Sequence, residues 1–271
     1  MEEENPRPNT TGIKSRQFKN QTTGATQPKQ KPPPSSSNPR GTFPYLSTLP
    51  EFSELPVTDL KNLADACSFS LLHEGEYIAH EGDDESARGF IVVTGCLAIS
   101  KSSSSGRTLI VELLQANDVF GLMLMLSEGR GILQLSAKAI EVTTILWMPK
   151  INYLQTIKRY PELLTQHVAH LLRCLHSSYR LARGLAHDKV EVRIASILSS
   201  LFIKFGNAYV SKEPGTIHFT RQQLAELTGT TPETAIRITR AMQRQGILRM
   251  LRPGEITILD TDSLNRIAED W

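Results

Sequence analysis

The chain has 271 residues, of which 39% are hydrophobic and 21% charged, with a formal net charge of +2. That length suits about two domains of ~100–200 residues each, and no apolar run approaches the ~20 residues of a membrane-spanning helix. The opening MEEENPRP lacks a basic-then-apolar signal segment, and Cys67, Cys96 and Cys174 fit neither a disulfide framework nor a metal spacing, so a reducing, cytoplasmic setting is expected.

The near-neutral total conceals an asymmetry. Residues 43–160 carry 14 acids and 9 Lys/Arg, whereas residues 189–253 carry 10 Lys/Arg and 4 acids. A basic C-terminal part joined to an acidic part reads as a nucleic-acid binder fused to something else.

Residues 1–42 are rich in Pro, Ser, Thr, Asn and Gln and hold KPPPSSSNPRG. With almost no large apolar side chains they cannot offset the entropy of ordering, so a disordered tail is expected. Lys14, Arg16, Lys19, Lys29, Lys31 and Arg40 make it basic. Its plainest role is a solvated extension; a brush against DNA phosphates is the alternative.

Residues 43–160 read as a β-rich domain. A short helix comes first, with Thr58 as cap and Leu60, Leu63, Ala64 and Ala66 following. The pattern then turns to short strands broken by turns. Phe90–Val93 and Thr108–Leu114 are strand-like, Leu97 and Ile99 alternate with smaller residues, and Gly75, Gly82, Gly95 and Gly106 fall in loops. Strands at this spacing suggest a rolled antiparallel sheet. The segment Leu122–Leu126 is wholly apolar, so it either fills the roll or lines a site for an apolar or planar ligand.

Residues 161–187 read as one long helix that opens at Pro161. Leu164, Val168, Leu171, Leu175, Ser178, Ala182 and Leu185 follow alternating spacings of four and three, which is a heptad seam. A helix this long with one apolar stripe wants a partner helix. His167, His170 and Cys174 flank the seam at i, i+3 and i+7. They are expected to be coiled-coil flank residues; a metal shared across a dimer, or Cys174 pairing with its mate, are the alternatives.

Residues 188–271 read as an output domain. Ala186–Asp188 breaks the seam and forms a hinge. Val190–Phe205 is an amphipathic helix with Val190, Ile194, Ile197, Leu198, Leu201 and Phe205 inward. Phe219–Leu248 then reads as a helix-turn-helix. Thr220 and Gln223 make a capping box, Gly229 takes the chain round, and Thr231 caps a second helix with Pro232 at its first position. Ala235, Ile238 and Met242 face inward, while Glu233, Ile236, Arg237, Arg240 and Arg244 share the outer face. Strands at Ile247–Met250 and Glu255–Leu259 flank the turn Arg252-Pro253-Gly254, a wing whose Arg252 reaches toward phosphate; residues 262–270 close with a short helix.

The outer face has the chemistry of a recognition helix in a DNA major groove. An arginine fork bonds both acceptors of a guanine, a carboxylate accepts from the cytosine amine, and Ile236 suits a thymine methyl. Glu233 and Arg237 sit one turn apart and so address adjacent base pairs. A merely solvated charged face is the bland alternative. No nucleophile–base set, metal motif or phosphate loop is visible, so an enzyme is not expected.

The run EGEYIAHEGDDESARGFIVVTGCLAISK, followed by GRTLIVELLQANDVFG, resembles the cyclic-nucleotide-binding β-roll of the CRP/FNR regulator family. With the helix-turn-helix, the likeness covers roughly residues 45–270. It implies an α+β chain: an N-terminal antiparallel β-roll, a long dimerisation helix and a C-terminal winged helix-turn-helix. It also implies a homodimer on double-stranded DNA, with two recognition helices roughly 34–36 Å apart on a palindrome, and RNA polymerase as a partner. In the family, residues matching Glu233 and Arg237 read a G·C pair in a TGA-like half-site. Arg221 and Gln222 match phosphate-contacting positions, and Thr231, Thr234, Ile236 and Arg252 complete the expected DNA-binding set.

The resemblance places an effector pocket at Gly121, Leu122, Met123 and Met125. Nucleotide-binding members have a glutamate where this chain has Leu122, and an Arg-Ser or Arg-Thr pair further on. Counting forward from Gly121 puts Ile132-Leu133 there, and counting back from Glu141 puts Arg130-Gly131 there. A phosphodiester would be poorly compensated in such a site, so cAMP is not expected; DNA binding without any small-molecule effector is the alternative. The family's carbon-monoxide sensor ligates haem through Cys and His at positions that are Gly121 and Met123 here, so that ligation is not expected; haem held otherwise stays open. No cysteine precedes Cys67, so an iron–sulfur cluster is not expected either.

Overall fold

The computed structural model describes residues 41–83, 88–121, 134–205, 216–250, 252 and 254–269, with backbone only at Arg88, Gln166, His167, His170 and Phe205. A short helix α1 (Thr42–Leu46), a 3-10 turn (Pro50–Phe52) and helix α2 (Val57–Ala66) lead into the sheets. Thr58 is not the cap of α2. Pro56 holds that place without a side-chain hydrogen bond, its fixed φ starting the helix instead. Leu60, Leu63 and Ala64 face inward as their spacing requires.

Among the described residues eight strands follow: β1 (Ser68–Leu72), β2 (Tyr77–Ala79), β3 (Arg88–Thr94), β4 (Leu97–Ser102), β5 (Thr108–Leu114), β6 (Val119–Phe120), β7 (Ser136–Ala139) and β8 (Thr143–Pro149). They form two four-stranded antiparallel sheets, β1-β8-β3-β6 and β2-β7-β4-β5, which together are the expected roll. Between them lie Val92, Leu97, Ile99, Leu114 and Ile145, all at most 1% exposed. The β3–β4 turn requires glycine. Gly95 has φ +86°, and a Cβ there would stand 2.5 Å from the Val142 carbonyl oxygen and 2.7 Å from the Thr143 Cα. Backbone cannot give way as a side-chain tip can.

Helix α3 (Lys150–Arg159) is unexpected from sequence; it buries Tyr153 and Ile157 against α1 and α2. Arg159 bonds Asp59 of α2 at 2.8 Å, and the Tyr160 hydroxyl bonds the same carboxylate. Helix α4 (Leu163–His187) then runs for 25 residues and starts two residues later than Pro161 suggests. Asp188, in extended backbone, ends it, and helix α5 (Val190–Phe205) follows. Strand β9 (Thr216–His218), helices α6 (Arg221–Thr228) and α7 (Pro232–Arg244), strands β10 (Leu248–Met250) and β11 (Glu255–Ile258), and helix α8 (Thr261–Glu269) complete the chain. The small sheet has the order β10-β11-β9, so the winged helix is as expected.

The core does not divide where the sequence suggests a boundary. Cys96, Ala98, Ile110 and Leu113 of the roll belong to the same buried cluster as Leu198, Leu224, Leu227, Ile238 and Met242. Helices α5 and α6 thus lie on the outer face of the β4–β5 ribbon.

Candidate nucleic-acid interface

Local chemistry builds the helix-turn-helix. The Thr220 hydroxyl accepts from the Gln223 backbone N–H at 3.1 Å, and the Gln223 side-chain oxygen accepts from the Thr220 N–H at 2.7 Å. Two of the otherwise orphaned N–H groups of α6 are thereby satisfied. Gly229 ends α6 in the left-handed region, with φ 61° and ψ 39°. Thr231 caps α7 by accepting from the Thr234 N–H at 3.3 Å, with Pro232 following. Ala235, Ile238, Thr239 and Met242 form the buried side of α7.

The opposite side of α7 is uncovered. Glu233, Arg237, Arg240 and Arg244 are exposed, while Thr234 and Ile236 are half-buried. The Glu233 carboxyl is held below its ordinary range, first by its own backbone N–H and then by the Thr231 hydroxyl. It is therefore ionised, and it sits over the positive end of the helix. A base contact must compete with this cap. Arg221 and Gln222 are exposed at the start of α6, where the Gln222 amide donates to Glu226 at 2.7 Å. Thr231 and Arg252 are exposed too, Arg252 at the wing. The fold thus gathers all eight expected residues onto the winged helix.

One contact escaped sequence reasoning. Arg193 on α5 donates from Nε to the Thr228 carbonyl and from a terminal nitrogen to the Asp188 carbonyl, each at 2.9 Å. It joins the end of the long helix to the last residue of α6, immediately before the turn. A single arginine in an amphipathic helix gives no sequence signal for this; only the packing of α5 supplies both acceptors.

An apolar strip on α4 stands exposed and coincides with part of the expected seam. Val168, Leu172, Leu175 and Tyr179 are 54%, 50%, 43% and 64% exposed, and Ala182 and Ala186 are exposed beyond them. These six repeat at spacings of four and three. Of the residues expected on the seam, Val168, Leu175 and Ala182 lie on this strip. Leu171 is half-buried, Leu164 packs against the α1–α2–α3 cluster, Ser178 turns its hydroxyl back to the Cys174 carbonyl, and Leu185 reaches toward Gly229. Leu171 and Leu172 both suit a heptad; Leu171 is half-buried and Leu172 exposed. Cys174 faces the roll rather than the strip, donating to Glu112 at 3.4 Å. Its thiol is pushed up to about 12, first by burial and then by that carboxylate. The side chains of His167 and His170 lie outside the described residues.

Of the expected effector pocket, Gly121 is half-buried with φ 84°; Leu122, Met123 and Met125 lie outside the described residues, as do Arg130 and Gly131. Among the described residues, no cluster of His, Cys, Asp and Glu is placed to hold a metal, and no helix is long and apolar enough to cross a membrane.

Comparisons with known proteins agree with this architecture. A cyclic nucleotide-binding domain family matches residues 70–160, and a Crp-like helix-turn-helix domain family matches residues 192–267. The chain is 28% identical over 199 residues to the cyclic AMP receptor protein of Thermus thermophilus, covering 73% of this chain and 87% of that one. It is 25% identical over 225 residues to the anaerobic regulatory protein of Bacillus subtilis, covering 81% and 92%. In fold it is similar to FixK2 from Bradyrhizobium japonicum, with a TM-score of 0.65, 21% identity and coverage of 74% and 96%. A roll, a long helix and a winged helix-turn-helix in this order, matched by both family models, place the chain in the CRP/FNR family of DNA-binding transcription regulators.

Proposed function

We propose that this regulator acts as a homodimer on a palindrome with TGA-like half-sites, and that an effector other than cAMP acts at its roll. The observation that carries the reading is the pairing of two uncovered surfaces on one body. Glu233 and Arg237 stand outward on α7, and an apolar heptad strip stands outward on α4. The strip is the surface that a second copy of α4 would cover. Such a dimer presents two copies of α7 to successive turns of the major groove.

Arg237 bonds the guanine and Glu233 the paired cytosine, while Arg221, Gln222 and Arg252 hold the phosphates and fix register. The effector acts by preferring one of two packings of the long helices. One relative is named a cyclic AMP receptor protein. This chain has Leu122 where the nucleotide-binding members have their glutamate, which favours an apolar effector; haem is one such. RNA polymerase is the family's partner and is proposed here on the same footing.

A mobility-shift titration on a TGA-cored palindrome tests the reading. Glu233→Ala and Arg237→Ala should each weaken specific binding by roughly 5- to 150-fold, the equivalent of ~1–3 kcal/mol per base pair read. Binding that depends on salt but not on sequence would sink it. An absorption spectrum of the purified protein distinguishes a haem effector from a colourless one.

A further inference from the structure

Beyond DNA recognition and the roll's own pocket, the structure holds a cavity of about 330 Å³ between the β5 strand, the end of α4 and helices α5 and α6. That volume lies within the range of small-ligand sites. Ile110, Leu181, Ile197, Leu201 and Leu227 give it an apolar interior. Asp188, at the hinge, lines one end; its Oδ2 is buried and accepts no hydrogen bond. Buried carboxylate oxygens ordinarily have a donor. The helix leaves room for this one at Gly184, where a Cβ would lie 3.1 Å from the Asp188 Oδ2.

The charges around the cavity are unequal. Arg180, Arg193 and Lys204 line it against Glu112 and Asp188. Arg193 is committed to the Thr228 and Asp188 carbonyls, and Lys204 to the Leu113 carbonyl at 2.7 Å. Arg180 is exposed and bonds Ser177 at 3.3 Å, which leaves most of its five donors for another acceptor. It stands two turns before Asp188 on α4, roughly 12 Å along the axis at ~1.5 Å per residue.

We infer that this cavity binds a small acid with an apolar body. Its apolar body lies among the five aliphatic side chains, and the acid group meets Arg180 at the rim. Because the walls come from the roll, the long helix and the winged helix together, an occupant bridges all three. Gly121, the described residue of the expected roll pocket, does not line it.

The probe is naphthalene-1-acetate, whose rings match the apolar interior and whose carboxylate matches the rim, titrated calorimetrically into the full chain without DNA. Saturable binding with one site per chain is expected. Naphthalene-1-acetamide, similar in shape but without the negative charge, should bind at least tenfold more weakly. Ser200→Trp, at an exposed lining position, should fill the cavity and abolish binding; Arg180→Gln, which alters only the rim, should weaken it about tenfold. Absence of saturable binding would overturn the proposal, as would binding indifferent to both substitutions. Equal affinity for the acid and the amide would overturn the assignment of the acid group to Arg180. None of these readings depends on DNA, so failure here leaves the DNA-binding reading standing, and the converse holds.

Discussion

Arg193 and Glu233 set the behaviour of the interface at the scale of single residues. Arg193 bonds two main-chain carbonyls that close helices α4 and α6. Charge-assisted hydrogen bonds of this kind contribute about 1.5–3 kcal/mol when their acceptors have no other donor. Arg193→Leu should therefore lower stability in a urea titration by about that much, and it should weaken specific DNA binding by loosening the turn before α7. Lysine is a poor replacement, since one ammonium cannot fork to both carbonyls. Glu233 behaves differently. Its pKa is lowered in the folded protein, so its ionised cap on α7 is fully present above the ordinary carboxylate range of about 4.3 and is lost only as pH falls through the lowered folded value. Base preference at the Glu233 position should accordingly be flat between about pH 5 and pH 8 in competition binding. A preference that changes within that window would assign the contact to another group.

At the scale of elements, the caps and the seam are the informative features. The Thr220–Gln223 box is written in the sequence and appears as written, because it needs only four neighbouring residues. Thr220→Ala should destabilise the winged helix by roughly 1 kcal/mol in thermal unfolding. The seam is another matter. Val168, Leu175 and Ala182 suit either of two heptads, completed by Leu171, Ser178 and Leu185 or by Leu172, Tyr179 and Ala186. Of the first set, Leu171 is half-buried while Ser178 and Leu185 are exposed; every residue of the second is exposed. Leu172→Glu should give a monomer in sedimentation velocity with the fold intact. Leu171→Glu should chiefly lower stability, because it places a charge on the half-buried side. The reverse pattern would return the dimer to the first register.

At the scale of the whole molecule, the fused core predicts cooperativity between parts that the sequence separates. Ile110 of β5 is 3% exposed within the cluster that also holds Leu224, Ile238 and Met242. Ile110→Ala leaves a cavity in that cluster and should cost about 2–5 kcal/mol. Scanning calorimetry of the parent protein should give one transition for the roll and winged helix together. Two well-separated transitions would mean that the contact between them contributes little. For the effector proposed above, a continuous apolar contact of this kind is a physical route from roll to recognition helix, since closely packed cores do not deform gradually.

Sequence alone determined the order of parts, the capping box, the turn at Gly229, the buried face of α7 and its outward Glu233 and Arg237. Each depends on residues within a turn or two of one another, where periodicity and capping chemistry suffice. Tertiary structure alone decided which side of α4 faces outward, that Arg193 closes two helices, that Cys174 looks inward at Glu112, and that α5 and α6 lie on β4–β5. Those outcomes join residues 35 to 100 positions apart in the chain, such as Arg193 with Thr228, Cys174 with Glu112, and Lys204 with Leu113. Burial at such separations is a property of the assembled packing, and no local pattern carries it.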